Sequence, residues 1–328
     1  MTAEVSDASA SVLASTVADM SDLVDPAPRS ISVLVPTHNR PELVRRALQS
    51  VLEQDYRGTL DVLVVFDGVE PDLSLEHTSA GRSVKVLANE RTPGLAGSRN
   101  TGILAATSSL IAFCDDDDLW LPEKLTTQVA ALEAVPGAEF VTTAMTVDFR
   151  GERSVRRAGR DTVDHAAFLR SRMAMLHSSS FLIEREALLN GIGLVDETLP
   201  RSMAEDWDLL IRAAARRPIV HVDEPLVDVT WGGTSYFAEQ WEDRNAAHLW
   251  MLEHYPEIER DRVGASLLYG KLAFGNAALG RRRESVRWVG RAFRVRPLEP
   301  RAWLALLVCS GVSWQRISEA LNRRGHGI

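Results

Sequence analysis

Cysteine is nearly absent from this chain: Cys114 and Cys309 are its two cysteines in 328 residues. A pair so sparse and distant offers neither a disulfide framework nor metal-ligand spacing. Both are expected to be reduced packing residues, which fits a reducing compartment. Long apolar runs are missing as well, and no uninterrupted stretch is long enough to span a bilayer. The first thirty residues are rich in Ala, Ser, Val and Asp. They lack a basic segment followed by an apolar one, so they do not read as a secretory signal. Residues 1–29 are expected to form a disordered leader. No Walker-type phosphate loop and no Cys/His zinc pattern occurs. The expected location is cytoplasmic, with no transmembrane segment.

What is present is an ordinary globular composition, 45% hydrophobic and 25% charged, with its charge unevenly spread. Residues 281–328 hold eleven arginines, three glutamates and no lysine. The net charge of the whole chain is nonetheless −8. A basic tail on an acidic body suggests a partner for the tail, either an anionic membrane surface at the inner face or another subunit. A solvated helical face is the competing explanation. No nucleic-acid partner is expected.

Periodicity gives an alternating plan. Ile31–Val35 is a strand, residues 36–40 a turn, and Pro41 suits the first turn of a helix. Val44, Ala47, Leu48 and Val51 make one buried stripe on that helix. Asp61–Phe66 and Val84–Leu87 read as further strands, and a glycine-punctuated loop from Thr92 to Gly102 enters a helix. Leu110–Cys114 reads as a buried strand, and Pro122 opens another helix. Further strands are expected at Glu139–Val147 and Ser178–Glu184, with a helix at Glu205–Arg217. Beyond about Gln240 amphipathic helices take over. Strands alternating with helices argue for a mainly parallel, Rossmann-like α/β sheet covered on both faces.

Four successive acids, Asp115-Asp116-Asp117-Asp118, follow the buried strand. Open α/β sheets gather ligand residues at strand ends. Clustered carboxylates suit a hard divalent cation such as Mg²⁺ or Mn²⁺. A solvated acidic turn is the alternative.

Five segments stand in one order: VLVPTHNRPELVRRALQSV, VLVVFDG, GLAGSRNTGI, IAFCDDDDLWLPEKL and MAEDWDLLIRAA. Together they resemble the inverting family 2 glycosyltransferases, which adopt the GT-A fold, over Ile31 to Trp231. The resemblance implies a GT-A domain at 30–240 and leaves 241–328 as a basic α-helical extension. It implies a nucleoside-diphosphate sugar donor (UDP, dTDP or GDP), a hydroxyl-bearing acceptor, and Mn²⁺ or Mg²⁺. Pro36, Thr37, His38, Asn39 and Arg40 match the segment that contacts the nucleotide. Phe66 stands where relatives often carry an acid, and Asp67 is kept. Arg99 and Asn100 match an Arg-Asn pair. Asp115 and Asp117 match the spaced acid pair, with Asp117 as metal ligand, Asp115 as metal or ribose contact, and Asp116 or Asp118 sharing the role. Glu205-Asp206 matches an acid pair near the acceptor, with Asp206 as general base and Glu205 as its positioning neighbour. His177 is either a site contact or a satisfied structural group. The polymerase motif QxxRW is absent, which implies transfer of a single sugar. A sugar nucleotidyltransferase and a non-catalytic nucleotide-sensing module are the rival expectations.

Overall fold

The computed structural model describes residues 28–231 and 240–323. β1 (Ile31–Thr37), β2 (Leu60–Phe66), β4 (Arg82–Ala88) and β5 (Leu110–Phe113) run parallel as the left half of one sheet. Its order is β3-β4-β2-β1-β5-β10-β7-β11-β6. β10 (Leu182–Glu184) lies antiparallel between β5 and β7 (Phe140–Phe149), and β7 pairs parallel with β11 (Ile219–Trp231). Short antiparallel strands finish the sheet: β3 (His77–Ser79), β6 (Leu119–Trp120), β8 (Glu152–Arg156) and β9 (Thr162–Val163). The sheet is therefore mixed, with its longest ladders parallel.

The apolar runs of β1, β2 and β5 are buried on both faces, as strands covered from both sides must be. On one face lie α1 (Pro41–Leu52), whose stripe Val44, Ala47, Leu48 and Val51 is buried, and α3 (Lys124–Ala134). On the other lie α2 (Leu95–Ala105), the short α4 (His165–Arg170) and α5 (Glu205–Arg216).

The chain then becomes helical: α6 (Trp241–His254), α7 (Pro256–Arg260), α8 (Arg262–Ala278), α9 (Arg282–Val295), α10 (Pro300–Cys309) and α11 (Trp314–Arg323). Met251, Ile258 and Leu268 enter the same core as α5, so the first of these helices pack into the sheet layer. Ala273, Phe274, Val289, Ala292, Ala302 and Ala305 build a separate core between α8, α9 and α10. No helix among the described residues is long and apolar enough to cross a membrane.

One expected strand changes form. Ser178–Ser180 is a single 3-10 turn, and only Leu182–Glu184 is extended. The serine hydroxyls take other partners: Ser178 and Ser179 donate to Asp115 and Asp118 of the distant acid run, and Ser180 donates to the local His177 carbonyl. Side chains of this kind compete with a ladder.

Candidate active site

The first strand ends two residues later than the sequence suggests, inside the expected nucleotide turn. Pro36 lies inside β1, opposite Val65, and Thr37 closes the strand. Asn39 takes a left-handed φ of 52°, which asparagine tolerates better than most residues. It does not cap α1; Arg40 precedes the helix and no side chain caps it. The turn is instead tied to the acid run. Thr37 Oγ1 donates to Asp116 (2.7 Å), and Arg40 reaches Asp116 (3.1 Å) and Asp117 (2.9 Å). His38 Nδ1 donates to the Asp67 carbonyl at 2.6 Å.

Asp67 turns its carboxylate the other way. It accepts from Asn89 Nδ2 (2.7 Å) and from the Gly94 N–H (2.9 Å), so it anchors the loop that starts α2. Phe66 beside it is buried in the α1-side core. Asn100 faces away from the acids. It brackets Val195 through both N–H and carbonyl and donates to Glu197 (2.6 Å), a structural clamp. Burial pushes the Glu197 carboxyl up, but hydrogen bonds outweigh it. Donors from Asn100, Thr92 and Arg91 hold it at about 2.

Arg99 is the hub. Its guanidinium is buried and forks between Glu205 (2.5 Å) and Asp115 (2.6 Å), with the Phe113 ring 5.2 Å away. The fork brings the end of β5 and the start of α5 together, from positions 106 residues apart in chain for Arg99 and Glu205. A planar guanidinium suits two carboxylates in a way that a lysine cannot.

The four acids make a tight turn closed by the Asp118 N–H on the Asp115 carbonyl. Burial pushes Asp115 up, but Arg99 and His177 bring its carboxyl below the usual range. Burial and the neighbouring carboxylates push Asp117 up, and Asp118 well up. Ligand atoms of Asp115, Asp118 and His177 lie within 4.8 Å of one another. Carboxylates plus an imidazole are a donor set that Mn²⁺ accepts readily. A divalent charge there would also relieve the crowding that raises Asp117 and Asp118. The residues present therefore fit a cation.

The acids of α5 complete the site. Ala204, with φ 69°, turns the chain so that Glu205 and Asp206 open the helix facing inward. Asp206 is buried; Arg172 donates to it at 2.5 Å and the Trp207 N–H at 2.8 Å. Burial would raise Asp206, yet Arg172 holds its carboxyl below the usual range. Burial and the Asp206 charge push Glu205 up to about 7. Two adjacent acids thus have opposed tendencies, one kept ionised and one near neutrality, the pattern of an acid–base site.

The profile of "Glycosyl transferase family 2" matches residues 32–190. Over those residues, just under half of the chain, the sequence is similar to that family. Among relatives, a UDP-Glc:alpha-D-GlcNAc-diphosphoundecaprenol beta-1,3-glucosyltransferase of Escherichia coli, WfgD, is 32% identical over 31% of this chain and 40% of its own length. An amylovoran biosynthesis glycosyltransferase of Erwinia amylovora, AmsB, is 31% identical over 33% of this chain and 37% of its own. The chain thus aligns with less than half of these relatives. In structure it resembles S. aureus TarS 1-349 in complex with UDP-GlcNAc, at a TM-score of 0.59 and 18% identity, covering 90% of this chain and 92% of that one. Mannosyltransferase PcManGT from Pyrobaculum calidifontis in complex with GDP-Man and Mn2+ gives 0.52 and 19%, covering 87% and 81%. Both likenesses show the GT-A fold.

The structure adds a residue that the sequence gave no reason to single out and places His177, which the sequence left open between site contact and structural group. Arg172 sits in no motif; it lies just after α4, and only tertiary contact reveals its link to Asp206. His177 joins Asp118 at 3.3 Å, so its place beside the acid run is geometric. Its imidazole is held below the usual range by burial. The segment Trp231–Ser235, expected as a loop over the donor, lies from Gly232 onward outside the described residues.

Proposed function

We propose that this chain transfers one sugar, with inversion and without processivity, from a nucleoside-diphosphate sugar to an acceptor hydroxyl. The observation that carries this is the buried Arg99 fork, which sets the acid run and the Glu205-Asp206 pair at one cleft. Thr37 and Arg40 hold the nucleotide side, with His38, Asn39 and Asp67 shaping the turn. UDP and GDP are the favoured donors, since the names and bound ligands of the relatives include UDP-Glc, UDP-GlcNAc and GDP-Man. Asp115, Asp118 and His177 would hold Mn²⁺ or Mg²⁺, and Asp117, 30% exposed, would be a further donor. When bound, the cation supplies positive charge to the departing diphosphate.

Asp206 takes the acceptor proton as the acceptor oxygen bonds to the anomeric carbon. The bond from that carbon to the diphosphate oxygen breaks, and the nucleoside diphosphate leaves with the electron pair. Ionised by Arg172, Asp206 is ready to accept the proton near neutral pH, and Glu205, its neighbour on the helix, is held by Arg99. The sheet domain, 30–240, carries these residues, and the helices from 241 pack beneath it. The arginine-rich α9, with exposed Val286, Leu298 and Trp303 nearby, suits contact with an anionic membrane face.

Asp206→Asn is the direct test. Transfer should fall by about 10²–10⁴-fold, the usual worth of a general base, while nucleotide binding persists. Full transfer by a folded Asp206→Asn protein would overturn the assignment.

A further inference from the structure

Ser178, Ser179 and Ser180 form one buried 3-10 turn beside the acid run, and their hydroxyls go two ways. Ser178 Oγ donates to Asp115 Oδ2 at 3.0 Å, on the carboxylate whose other oxygen is held by Arg99. Ser179 Oγ stands between two points of the run. The Asp115 N–H can only donate, so the hydroxyl accepts from it at 3.0 Å. Its single hydrogen then goes to Asp118 Oδ2 at 2.5 Å. Ser180 turns away and donates to the His177 carbonyl at 2.7 Å.

The turn is itself held in place. Trp120 Nε1, two residues past Asp118, donates to the Ser179 carbonyl at 2.8 Å. Gln128 Nε2 of α3 donates to the Ser180 carbonyl at 2.7 Å. Adjacent carboxylates repel one another, so a run of four needs something to set each side chain's direction. A hydroxyl bonded to a carboxylate is charge-assisted and directional, and can do this. The serines act on a chosen pair. Asp115 and Asp118, which they hold, are the acids whose oxygens lie with a His177 nitrogen within 4.8 Å of one another. Asp116 and Asp117 are taken by Arg40 instead.

We propose that Ser178 and Ser179 are positioning residues for the cation, each fixing the rotation of one carboxylate so that Asp115 and Asp118 converge. The inference rests on the cation site proposed above. Partners that orient metal ligands in this way are worth about ten- to a hundred-fold in metal affinity. Ser180 is the internal comparison: it is as buried as Ser179 and lies in the same turn, but its hydroxyl serves a backbone carbonyl.

The test titrates Mn²⁺ into the full chain and reads binding from the EPR signal of the free ion. Thermal unfolding in EDTA reports separately what each hydroxyl gives to the fold without the ion. Ser178→Ala and Ser179→Ala should each weaken Mn²⁺ binding by about tenfold or more, and Ser180→Ala should keep the wild-type affinity. The losses in affinity should not follow the changes of Tm in EDTA. Ser178→Ala removes a single bond, so it decides the matter if Ser179→Ala does not fold. Asp115→Asn, which should abolish binding, checks the cation site itself. With that check met, wild-type affinity in the folded Ser178→Ala and Ser179→Ala chains, or an equal loss in all three serine variants, overturns the positioning role alone. A wild-type chain that binds no Mn²⁺ overturns both the cation site and the positioning role.

Discussion

Arg172 donates to the Asp206 carboxylate at 2.5 Å across 34 residues of chain. Its charge favours the ionised acid, so removing it must raise the Asp206 pKa. The acid limb of kcat/KM reports protonation of the base in the free enzyme. Arg172→Ala should therefore move that limb to higher pH by about one unit or more, and Arg172→Lys should keep most of the wild-type profile. A profile with an unmoved acid limb would assign the base elsewhere, with Glu205 as the next candidate.

Arg99 is buried between Asp115 and Glu205, and Arg99→Lys cannot serve both at once. One carboxylate is then left buried without its partner, at a cost of about 3–5 kcal/mol. Urea unfolding should show this loss together with lost donor binding. An unchanged midpoint would mean that the fork carries little of the site's order.

Glycines in this chain differ in what they tolerate. A Cβ on Gly97 would fall 1.9 Å from the Thr92 carbonyl oxygen, so Gly97→Ala must push the loop off α2, costing about 1–3 kcal/mol. Gly290 on α9 has open space around it. Gly290→Ala should add up to about 1 kcal/mol through helix propensity. Chemical denaturation of the two variants should move the midpoint in opposite directions.

Lys124 is fully buried under the acid run, its Nζ 3.7 Å from the Trp120 ring centre and 2.6 Å from Gln128 Oε1. Burial pushes its ammonium down to about 7 from 10.5. Between those values the unfolded chain binds the proton and the native chain does not. Stability should therefore rise with pH from about 7 towards 10, by up to about 4 kcal/mol. Lys124→Met should flatten that rise, as read by urea midpoints across this range. A rise that persists in Lys124→Met would assign the effect to another group.

Much of this architecture was legible in the residues. The β1–α1 unit and the buried run of β5 follow from periodicity and a proline at the helix start, whereas the site-facing start of α5 followed only from the resemblance. The motif order brought Asp115, Arg99 and Glu205 into one expected site, and the side chains meet as ion pairs. Other positions were legible only in part. Asp67 resembled a nucleotide residue and Asn100 half of an Arg-Asn pair by motif, yet their hydrogen bonds brace loops, because short polar side chains serve backbone groups equally well. Ser178–Ser180 looked extended because hydroxyl bonds to the distant Asp115 and Asp118 do not show in hydrophobic pattern. Arg172 lies in no motif, and no spacing in sequence relates it to Asp206.

The central claim is that the acid run and the Thr37–Arg40 turn form a cation-assisted nucleoside-diphosphate site. The measurement that tests it most directly is thermal unfolding with UDP, GDP, dTDP and CDP, each with and without Mn²⁺ or Mg²⁺. A ligand bound only by the native chain raises Tm by mass action. The account predicts a cation-dependent rise with UDP or GDP that Asp115→Asn abolishes. No rise with any nucleotide, with or without the cation, would contradict it.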